Sequence, residues 1–394
     1  MREVGILTFH CSDNYGAMLQ AYGLKQYCHK IGIRADIVRY EPPFLTGRHW
    51  YVPYVPVGGI SKMLMNGLGG WKANLTMGTD FFRLRANMAS FREEYLVRKG
   101  QKKLHFICGL KKLPYRYYIV GSDQIWNPDI TIGLRNAYFG VFANDRKEKV
   151  IAYGASLGGS SLASEYDKKF RELLQSVDEI SLRESEAIPY VKKLYKKNIS
   201  SVIDPVFLLS KEEWQKIEKK SGKKGFLFVY MTEPNQELTD FARKLAKDRQ
   251  LQIIETKKGK KKKERDILTD NTAGPAEFLG YIHGADYIIT NSFHGTAFSI
   301  LYEKQFLVFQ HSSLGTRISN LLKIHGLEGR LYGGNCGSNI DSSIDWAAVR
   351  EKTAEQVEKS RQFLLVFKEC LTPEQRESFL PFLKEKCPKL KIMR

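Results

Sequence analysis

A histidine stands at the most informative junction of the chain, where a predicted strand meets a predicted helix. The strand Tyr287–Thr290 is followed by a polar turn that contains Ser292, and then by His294, Gly295 and Thr296. A histidine side chain can donate or accept a proton near neutral pH. The glycine lets the backbone approach a ligand closely, and the amides of the following helix favour an anion. We therefore predict His294 as a general acid or base, with a capping or buried structural histidine as the alternative.

An arginine occupies a second junction of this kind. Arg183 directly follows the predicted strand Glu179–Leu182. Its planar guanidinium group presents a fork of donors that matches a carboxylate or a phosphate. We predict that Arg183 binds an anionic part of the substrate. The alternative is a structural ion pair between Arg183 and a glutamate.

Polar turns also follow two strands of the N-terminal half. Ser122, Asp123 and Asn127 come after the predicted strand Tyr117–Val120. Asp123 and Asn127 could bind substrate hydroxyls, or they could cap and shape the loop through side-chain hydrogen bonds. Both interpretations stay open at this point.

The first strand leads into a similar turn. Asn14, Tyr15 and Gly16 follow the apolar run Val4–Phe9, which places a glycine and a helix N-terminus in the same predicted cleft. Asp204-Pro205 is favoured as a structural turn into an interdomain linker.

Several classes of chemistry lack their signatures in the sequence. There is no P-loop, no G-x-G-x-x-G after the first strand, no G-x-S-x-G and no H-E-x-x-H. The six cysteines are scattered without a C-x-x-C pair, and the eight histidines do not cluster with carboxylates at ligand spacing. We therefore expect reduced thiols, no metal site and no cofactor.

The elements that position these residues alternate between strand and helix. This alternation predicts an α/β fold with parallel sheets and crossover helices. Besides the strands named above, the pattern predicts a strand over Phe226–Tyr230 and helices over Thr79–Leu96, Gln236–Asp248, Thr296–Tyr302 and Pro373–Lys386. The pattern restarts near residue 209, which predicts a Rossmann-like N-terminal lobe at residues 1–208, with an irregular insertion at 41–70, and a second such lobe at 209–345. Helices at 346–394 are expected to close back on the N-terminal lobe. Two such lobes form a GT-B-like layout with the site in the cleft between them.

The charge of the chain is unusual. Among 394 residues, 62 are Lys or Arg and 43 are Asp or Glu, so 62 − 43 gives a formal +19. The densest basic run is Lys257–Lys263, which is either a solvated loop or a contact for an anionic lipid or glycan surface. No nucleic-acid reading element accompanies the lysines, so we expect no nucleic-acid partner. No apolar run approaches the ~18 residues of a membrane span, and no signal peptide is evident. We expect a cytoplasmic protein, with peripheral contact to the inner face of the membrane as a hypothesis.

Taken together, the chain resembles the polysaccharide pyruvyl transferase family. The matching stretches lie in order between about residues 3 and 332: Ile6-Leu7-Thr8, Asn14-Tyr15-Gly16-Ala17, Gly121–Asn127, Ser181-Leu182-Arg183-Glu184, Asp204-Pro205, Thr290–Thr296, Arg317, Leu321-Leu322, Gly326-Leu327 and Arg330. The resemblance implies a GT-B-like fold and transfer of a pyruvyl group from phosphoenolpyruvate to two hydroxyls of a polysaccharide or lipid-linked glycan precursor, with release of phosphate.

The resemblance also implies roles for individual residues. His294 would be the general acid that protonates the enol methylene group, and Arg183 would hold the phosphate or carboxylate of the donor. Arg317 is a weaker candidate for the same charge. One departure concerns Ser292, because some relatives have an arginine at this position, so the donor could be held elsewhere or could differ.

Two other functions remain as alternatives. The first is a GT-B-type sugar-nucleotide glycosyltransferase, since Glu303 follows Gly295 at the spacing by which such folds hold a donor ribose. The second is a non-catalytic basic binding protein, for which binding to nucleic acid or anionic vesicles would depend steeply on salt.

Overall fold

The computed structural model describes residues 4–46, 79–143, 148–256, 265–311, 315–333 and 339–365. Three predicted features lie outside these residues. They are the Lys257–Lys263 run, most of the irregular insertion at 41–70, and a short predicted helix at Pro373–Lys386.

The first sheet has six parallel strands: β1 (Val4–Leu7), β2 (Ala35–Ile37), β3 (Tyr117–Gly121), β4 (Lys149–Ala155), β5 (Glu179–Leu182) and β6 (Ile199–Ser201). Their spatial order is β2-β1-β3-β4-β5-β6. The order reverses between β1 and β3, and such a switch point opens a crevice at the carboxyl ends of the strands.

The second sheet has five parallel strands: β7 (Phe226–Tyr230), β8 (Gln252–Thr256), β9 (Ile267–Asp270), β10 (Tyr287–Thr290) and β11 (Gln305–Val308). Their order is β11-β10-β7-β8-β9, so the switch point lies between β7 and β10. Strand β7 is buried along its whole length, as expected for a parallel strand covered on both faces. The two sheets confirm the predicted α/β fold with two Rossmann-like lobes. The domain boundaries at residues 208 and 345 stay a prediction.

The helices among the described residues are α1 (Tyr15–Lys30), α2 (Pro43–Thr46), α3 (Thr79–Phe91), α4 (Ile107–Leu110), α5 (Pro128–Thr131), α6 (Asp167–Leu174), α7 (Ile188–Leu194), α8 (Lys211–Gln215), α9 (Gln236–Asp248), α10 (Pro275–Gly284), α11 (Phe293–Leu301), α12 (Gly315–His325) and α13 (Trp346–Leu364). The helix predicted over Thr79–Leu96 is α-helical only to Phe91 and continues as a π-helical turn over Arg92–Leu96. None of the helices in the described ranges is both long and apolar enough to cross a membrane.

The two lobes share a continuous apolar core. Helix α1 of the N-terminal lobe packs against the C-terminal lobe, with the rings of Tyr15 and Phe278 stacked at a centroid distance of 4.7 Å. Helix α13 returns to the N-terminal lobe, where Ser360 Oγ accepts a hydrogen bond from the Ile203 amide at 2.8 Å. The C-terminal helix therefore closes back on the first lobe, as the sequence pattern predicts.

Candidate active site

The predicted histidine lies in the first turn of a helix and faces the other lobe. Helix α11 begins at Phe293, three residues before the predicted start, because the Ser292 side chain caps it by accepting a hydrogen bond from the Gly295 amide at 3.4 Å. The first turn of α1 packs directly on His294. A Cβ atom built on Gly16 would lie 2.0 Å from His294 Nδ1. Glycine at position 16 is therefore what lets the imidazole ring fit between the lobes.

A buried carboxylate links this histidine to the predicted arginine. Asp204 Oδ2 accepts a hydrogen bond from Arg183 Nη1 at 2.5 Å and lies 3.5 Å from His294 Nε2. Its other oxygen caps the 3₁₀ turn Pro205–Leu208. Burial alone would raise the pKa of Asp204, but His294 and Arg183 hold this pKa well below its usual range. Asp204 is thus ionised and lies between Arg183 and His294.

A second arginine comes from the C-terminal lobe. Arg317 Nε lies 2.9 Å from Glu184 Oε1, and Arg183 Nε lies 3.5 Å from the same oxygen. Both guanidinium groups lie 5.1 Å from the centroid of the Phe293 ring. Burial, together with the positive charge of Arg183, lowers the pKa of Arg317 to about 10. The two buried cations therefore repel each other across the lobe boundary.

These charged groups leave donors and a small space for a ligand. The Arg183 Nη2 atom is buried without a hydrogen-bond partner among the described residues. Arg183, Glu184, Asp204, Phe293 and Arg317 line a cavity of about 30 Å³. A cavity of this size holds only one or two water molecules. This space is smaller than an organic anion of several heavy atoms.

The loop after β3 reaches the cluster through its first two residues. The Ser122 carbonyl accepts a hydrogen bond from Arg183 Nη1 at 3.4 Å. The charge of Asp123 acts on both arginines, but its carboxylate also accepts a hydrogen bond from the Gln124 amide at 2.7 Å. Asn127 caps helix α5 through the amide of Asp129. The loop-shaping interpretation therefore accounts for the contacts of Asn127, and Ser122 and Asp123 border the site.

Two residues beside His294 have contacts that are explained by packing. A Cβ atom on Gly295 would lie 2.4 Å from Thr290 Oγ1, so this glycine allows α11 to pack closely on the end of β10. Thr296 Oγ1 donates a hydrogen bond to the Ser292 carbonyl at 2.9 Å. These contacts give both residues a structural role, and their contacts with substrate stay a prediction.

The turn after β1 borders a separate and larger cavity. Asn14 caps α1, and the Tyr15 hydroxyl donates a hydrogen bond across the lobe boundary to the Ala273 carbonyl at 2.8 Å. Asn14 and Tyr15 line a cavity of about 320 Å³ together with residues from the ends of β7 and β8. Asn14 and Tyr15 therefore directly precede Gly16, which packs on the histidine ring, but they face a different space.

Sequence reasoning did not identify all members of the cluster. Asp204 was expected only to shape a turn, whereas the folded linker also brings its carboxylate to Arg183 and His294. Glu184 and Phe293, each adjacent to a predicted residue, contact the arginines as described above. The sequence features that could have identified Asp204 and Glu184 are local: an Asp-Pro turn after a strand, and a glutamate next to an arginine.

The alternative ribose-binding residue lies elsewhere. Glu303 follows the far end of α11 and forms an ion pair with Arg350 at 2.5 Å. In the described part of the chain, no group of three or more His, Cys, Asp or Glu residues could hold a metal ion.

A protein-family model matches the part of the chain that contains most of the motifs. The family model described as "Polysaccharide pyruvyl transferase" matches residues 14–313, which contain His294 and Arg183. This match confirms the resemblance that the motifs indicate. No curated protein is significantly similar to the chain in sequence.

Three solved structures align with most of the chain. Spinosyn forosaminyltransferase SpnP is 11% identical, with 97% of this chain and 99% of that chain covered and a TM-score of 0.42. UDP-GlcNAc 2-epimerase from Neisseria meningitidis is 10% identical, with 92% and 93% covered and a TM-score of 0.47. UDP-N-acetylglucosamine 2-epimerase from Rickettsia bellii is 11% identical, with 98% and 99% covered and a TM-score of 0.47. At such identities and TM-scores these likenesses carry no argument about activity.

Proposed function

The chain belongs to the polysaccharide pyruvyl transferase family, and from this premise we propose that it transfers the pyruvyl group of phosphoenolpyruvate to two hydroxyls of one sugar in a polysaccharide or lipid-linked glycan precursor. The family makes it a transferase. The donor, the acceptor and the roles of individual residues are the content of the proposal.

One observation carries the choice of donor. Two buried guanidinium groups, one from each lobe, lie against Phe293 in the same cluster as His294. Phosphoenolpyruvate is small and carries both a carboxylate and a phosphate, each of which matches a guanidinium fork. An anion between the arginines would also offset the burial and the repulsion by Arg183 that together lower the pKa of Arg317.

The chemistry follows from the position of the histidine. His294, in its protonated form, gives a proton to the methylene carbon of the donor, which becomes a methyl group and leaves an oxocarbenium-like centre at C2. The first acceptor hydroxyl adds to C2 and loses its proton. The C2–O bond to phosphate then breaks, and the second hydroxyl adds at C2. Of the two hydroxyl protons, one restores protonated His294 and the other leaves on the phosphate. The products are a cyclic ketal and inorganic phosphate, and the arginines stabilise the negative charge on the departing phosphate.

Asp204 and Glu184 position the groups that act on the donor. Asp204 contacts both Arg183 and His294, and it stabilises the protonated imidazole by its negative charge. Glu184 accepts a hydrogen bond from Ser156 Oγ at 2.8 Å, which fixes the carboxylate that faces both arginines. Because the cavity of about 30 Å³ is smaller than the donor, side chains that line it move when the donor binds.

The test combines binding with turnover. Phosphoenolpyruvate should raise the melting temperature of the full-length protein, and UDP- or GDP-sugars should not. With candidate glycosides present, the enzyme should release phosphate, and His294→Ala should abolish this release while keeping the melting temperature near that of the wild type.

The matched control is His105→Ala, because His105 is an exposed histidine whose Nδ1 lies 2.8 Å from the Glu41 carbonyl oxygen. This variant should release phosphate at the wild-type rate. Stabilisation by a sugar nucleotide but not by phosphoenolpyruvate would contradict the proposal and favour a glycosyltransferase.

A further inference from the structure

An arginine of the π-helical turn holds the loop that precedes helix α1. Arg92 Nε donates a hydrogen bond to the His10 carbonyl at 3.1 Å, and Arg92 Nη2 donates one to the Cys11 carbonyl at 3.2 Å. The Nη2 atom also forms an ion pair with Asp13 Oδ1 at 2.8 Å. One guanidinium group therefore fixes the turn after β1 at several points, and we call these contacts the Arg92 clamp.

The clamp is largely shielded from water. The Arg92 side chain is 13% exposed, and the Asp13 side chain is 16% exposed. Charges at this depth are screened by salt less than surface charges are, and a hydrogen bond from a charged donor is stronger than a neutral one. Arg85 Nε, 3.8 Å from Asp13 Oδ2, places a second cation near the same carboxylate. The clamp therefore restrains the turn more than an exposed ion pair would.

The clamped turn leads directly into the residue that packs on the catalytic histidine. The Asn14 amide donates a hydrogen bond to the Ser12 carbonyl at 2.8 Å, and the Asn14 side chain caps α1 by accepting one from the Ala17 amide at 3.1 Å. Gly16 lies between this cap and its donor, and the His294 ring packs against it. A movement of the turn would therefore change how Gly16 meets the His294 ring.

The rest of helix α1 is held independently of the clamp. Lys25 Nζ donates hydrogen bonds to the carbonyls of Tyr95 and Leu96 at 3.1 and 3.0 Å. The Tyr22 ring packs edge-on against the Tyr95 ring at a centroid distance of 5.9 Å. Loss of the Arg92 side chain should therefore loosen the start of α1 and leave the remainder of the helix in place.

We propose that Arg92 is a positioning residue that holds Gly16 against the His294 ring through the turn after β1. For the catalytic role of His294, this inference rests on the proposed function. The contacts of the clamp involve neither Arg183 nor Arg317, the two residues proposed to bind the donor. Removal of the clamp should therefore slow the chemical step more than it weakens donor binding.

The first measurement follows the His294 ring without any substrate. The full-length protein is labelled with ¹³C in its eight histidines, and the His294 ring signals are identified by their absence from His294→Ala. In Arg92→Met, which removes every donor of the clamp, these signals should shift, because Gly16 no longer holds the ring in one position. Arg83→Met is the matched control, since Arg83 is an exposed arginine of helix α3, and it should leave the signals unchanged.

The second measurement is turnover with phosphoenolpyruvate and an acceptor glycan. Arg92→Met should lower kcat about tenfold and leave KM for phosphoenolpyruvate within about twofold of the wild-type value. The loss is smaller than the about 10²-fold expected of a fixed 1 Å displacement, because a loosened turn still visits the productive position. Arg83→Met should turn over as the wild type does.

A milder variant acts on the other side of the ion pair. Asp13→Asn removes the negative charge and keeps the contacts of Arg92 with the two carbonyls, so it should change both measurements in the same direction by a smaller amount. Circular dichroism and melting temperature identify a variant that has not folded, and the other variant then carries the test.

Three results would overturn the positioning role of Arg92. The first is that the His294 signals of both clamp variants stay at their wild-type positions. The second is that the signals shift while kcat keeps its wild-type value, and the third is that KM for phosphoenolpyruvate rises as much as kcat falls. If the wild type does not turn over phosphoenolpyruvate, the proposed function is wrong, whereas the ring signals still decide whether Arg92 positions His294.

Discussion

Adding a single methyl group at position 16 should disable the histidine without unfolding the protein. The built Cβ atom of Gly16→Ala lies 2.0 Å from His294 Nδ1, whereas real Cβ contacts essentially never fall below 3.0 Å, so the ring must move by at least 3.0 − 2.0 = 1.0 Å. Helix α1 is fixed by buried Met18 and Leu19, both with no exposed surface, so the imidazole is the group that yields. A misplacement of about 1 Å at a reacting group can cost about 10²-fold in rate.

The assay is phosphate release from phosphoenolpyruvate in the presence of an acceptor glycan. We expect kcat to fall about 10²-fold. The KM for phosphoenolpyruvate should change little, because the three atoms nearest to a Cβ at position 16 all belong to His294 and not to Arg183 or Arg317. Alanine is a better helix former than glycine by up to about 1 kcal/mol, so the melting temperature should not collapse.

Gly159→Ala is the control, because a Cβ atom there meets no atom within 4 Å. It should behave as the wild type in both assays. If Gly16→Ala kept wild-type turnover, the placement of His294 at the reacting carbon would be refuted.

Two further predictions concern buried charge. Asp204→Asn keeps the cap on the Val206 amide but removes the carboxylate that lies closer to the buried Arg183 cation than Glu184 does. Urea denaturation should therefore show a loss of about 3 kcal/mol, and added phosphate should restore more stability to the variant than to the wild type. Equal denaturation midpoints would contradict a stabilising ion pair. Burial first, and then the charge of Arg92, lower the pKa of His10 to about 4. The unfolded chain binds this proton with a pKa near 6.5, so the free energy of unfolding should fall by about 3 kcal/mol as the pH drops from 6.5 to 4. The His10→Gln variant should lack this part of the pH dependence. Parallel profiles of unfolding free energy against pH for the two proteins would contradict the prediction.

Local sequence patterns predicted the elements of each lobe well where the strands are central and apolar. Strands β7 and β10 and helix α9 have the predicted bounds, Phe226–Tyr230, Tyr287–Thr290 and Gln236–Asp248. Strand β9 was missed because it lies at the edge of its sheet, is only partly buried, and therefore shows no apolar run.

The sequence predicted only those site residues that stand at recognisable strand ends. Strand ends followed by polar turns pointed to His294 and Arg183, because residues at the carboxyl ends of parallel strands share one crevice. The contact of His294 with Gly16 and Asp204 depends on how α1 and the linker pack across the lobe boundary, which no local pattern encodes. The same holds for the distinct cavity beside Tyr15, whose walls come from three separate turns.

The most direct test of the central claim follows the pyruvyl group itself. The full-length enzyme is incubated in D₂O with phosphoenolpyruvate labelled with ¹³C at its three carbons and with an acceptor glycan, and the product is examined by mass spectrometry and NMR. We expect a glycan that carries all three labelled carbons as a ketal, with one deuterium in its methyl group from protonation by His294. The His294→Ala variant should form no such product. Release of phosphate without labelled glycan, or a ketal without deuterium, would contradict the proposed mechanism.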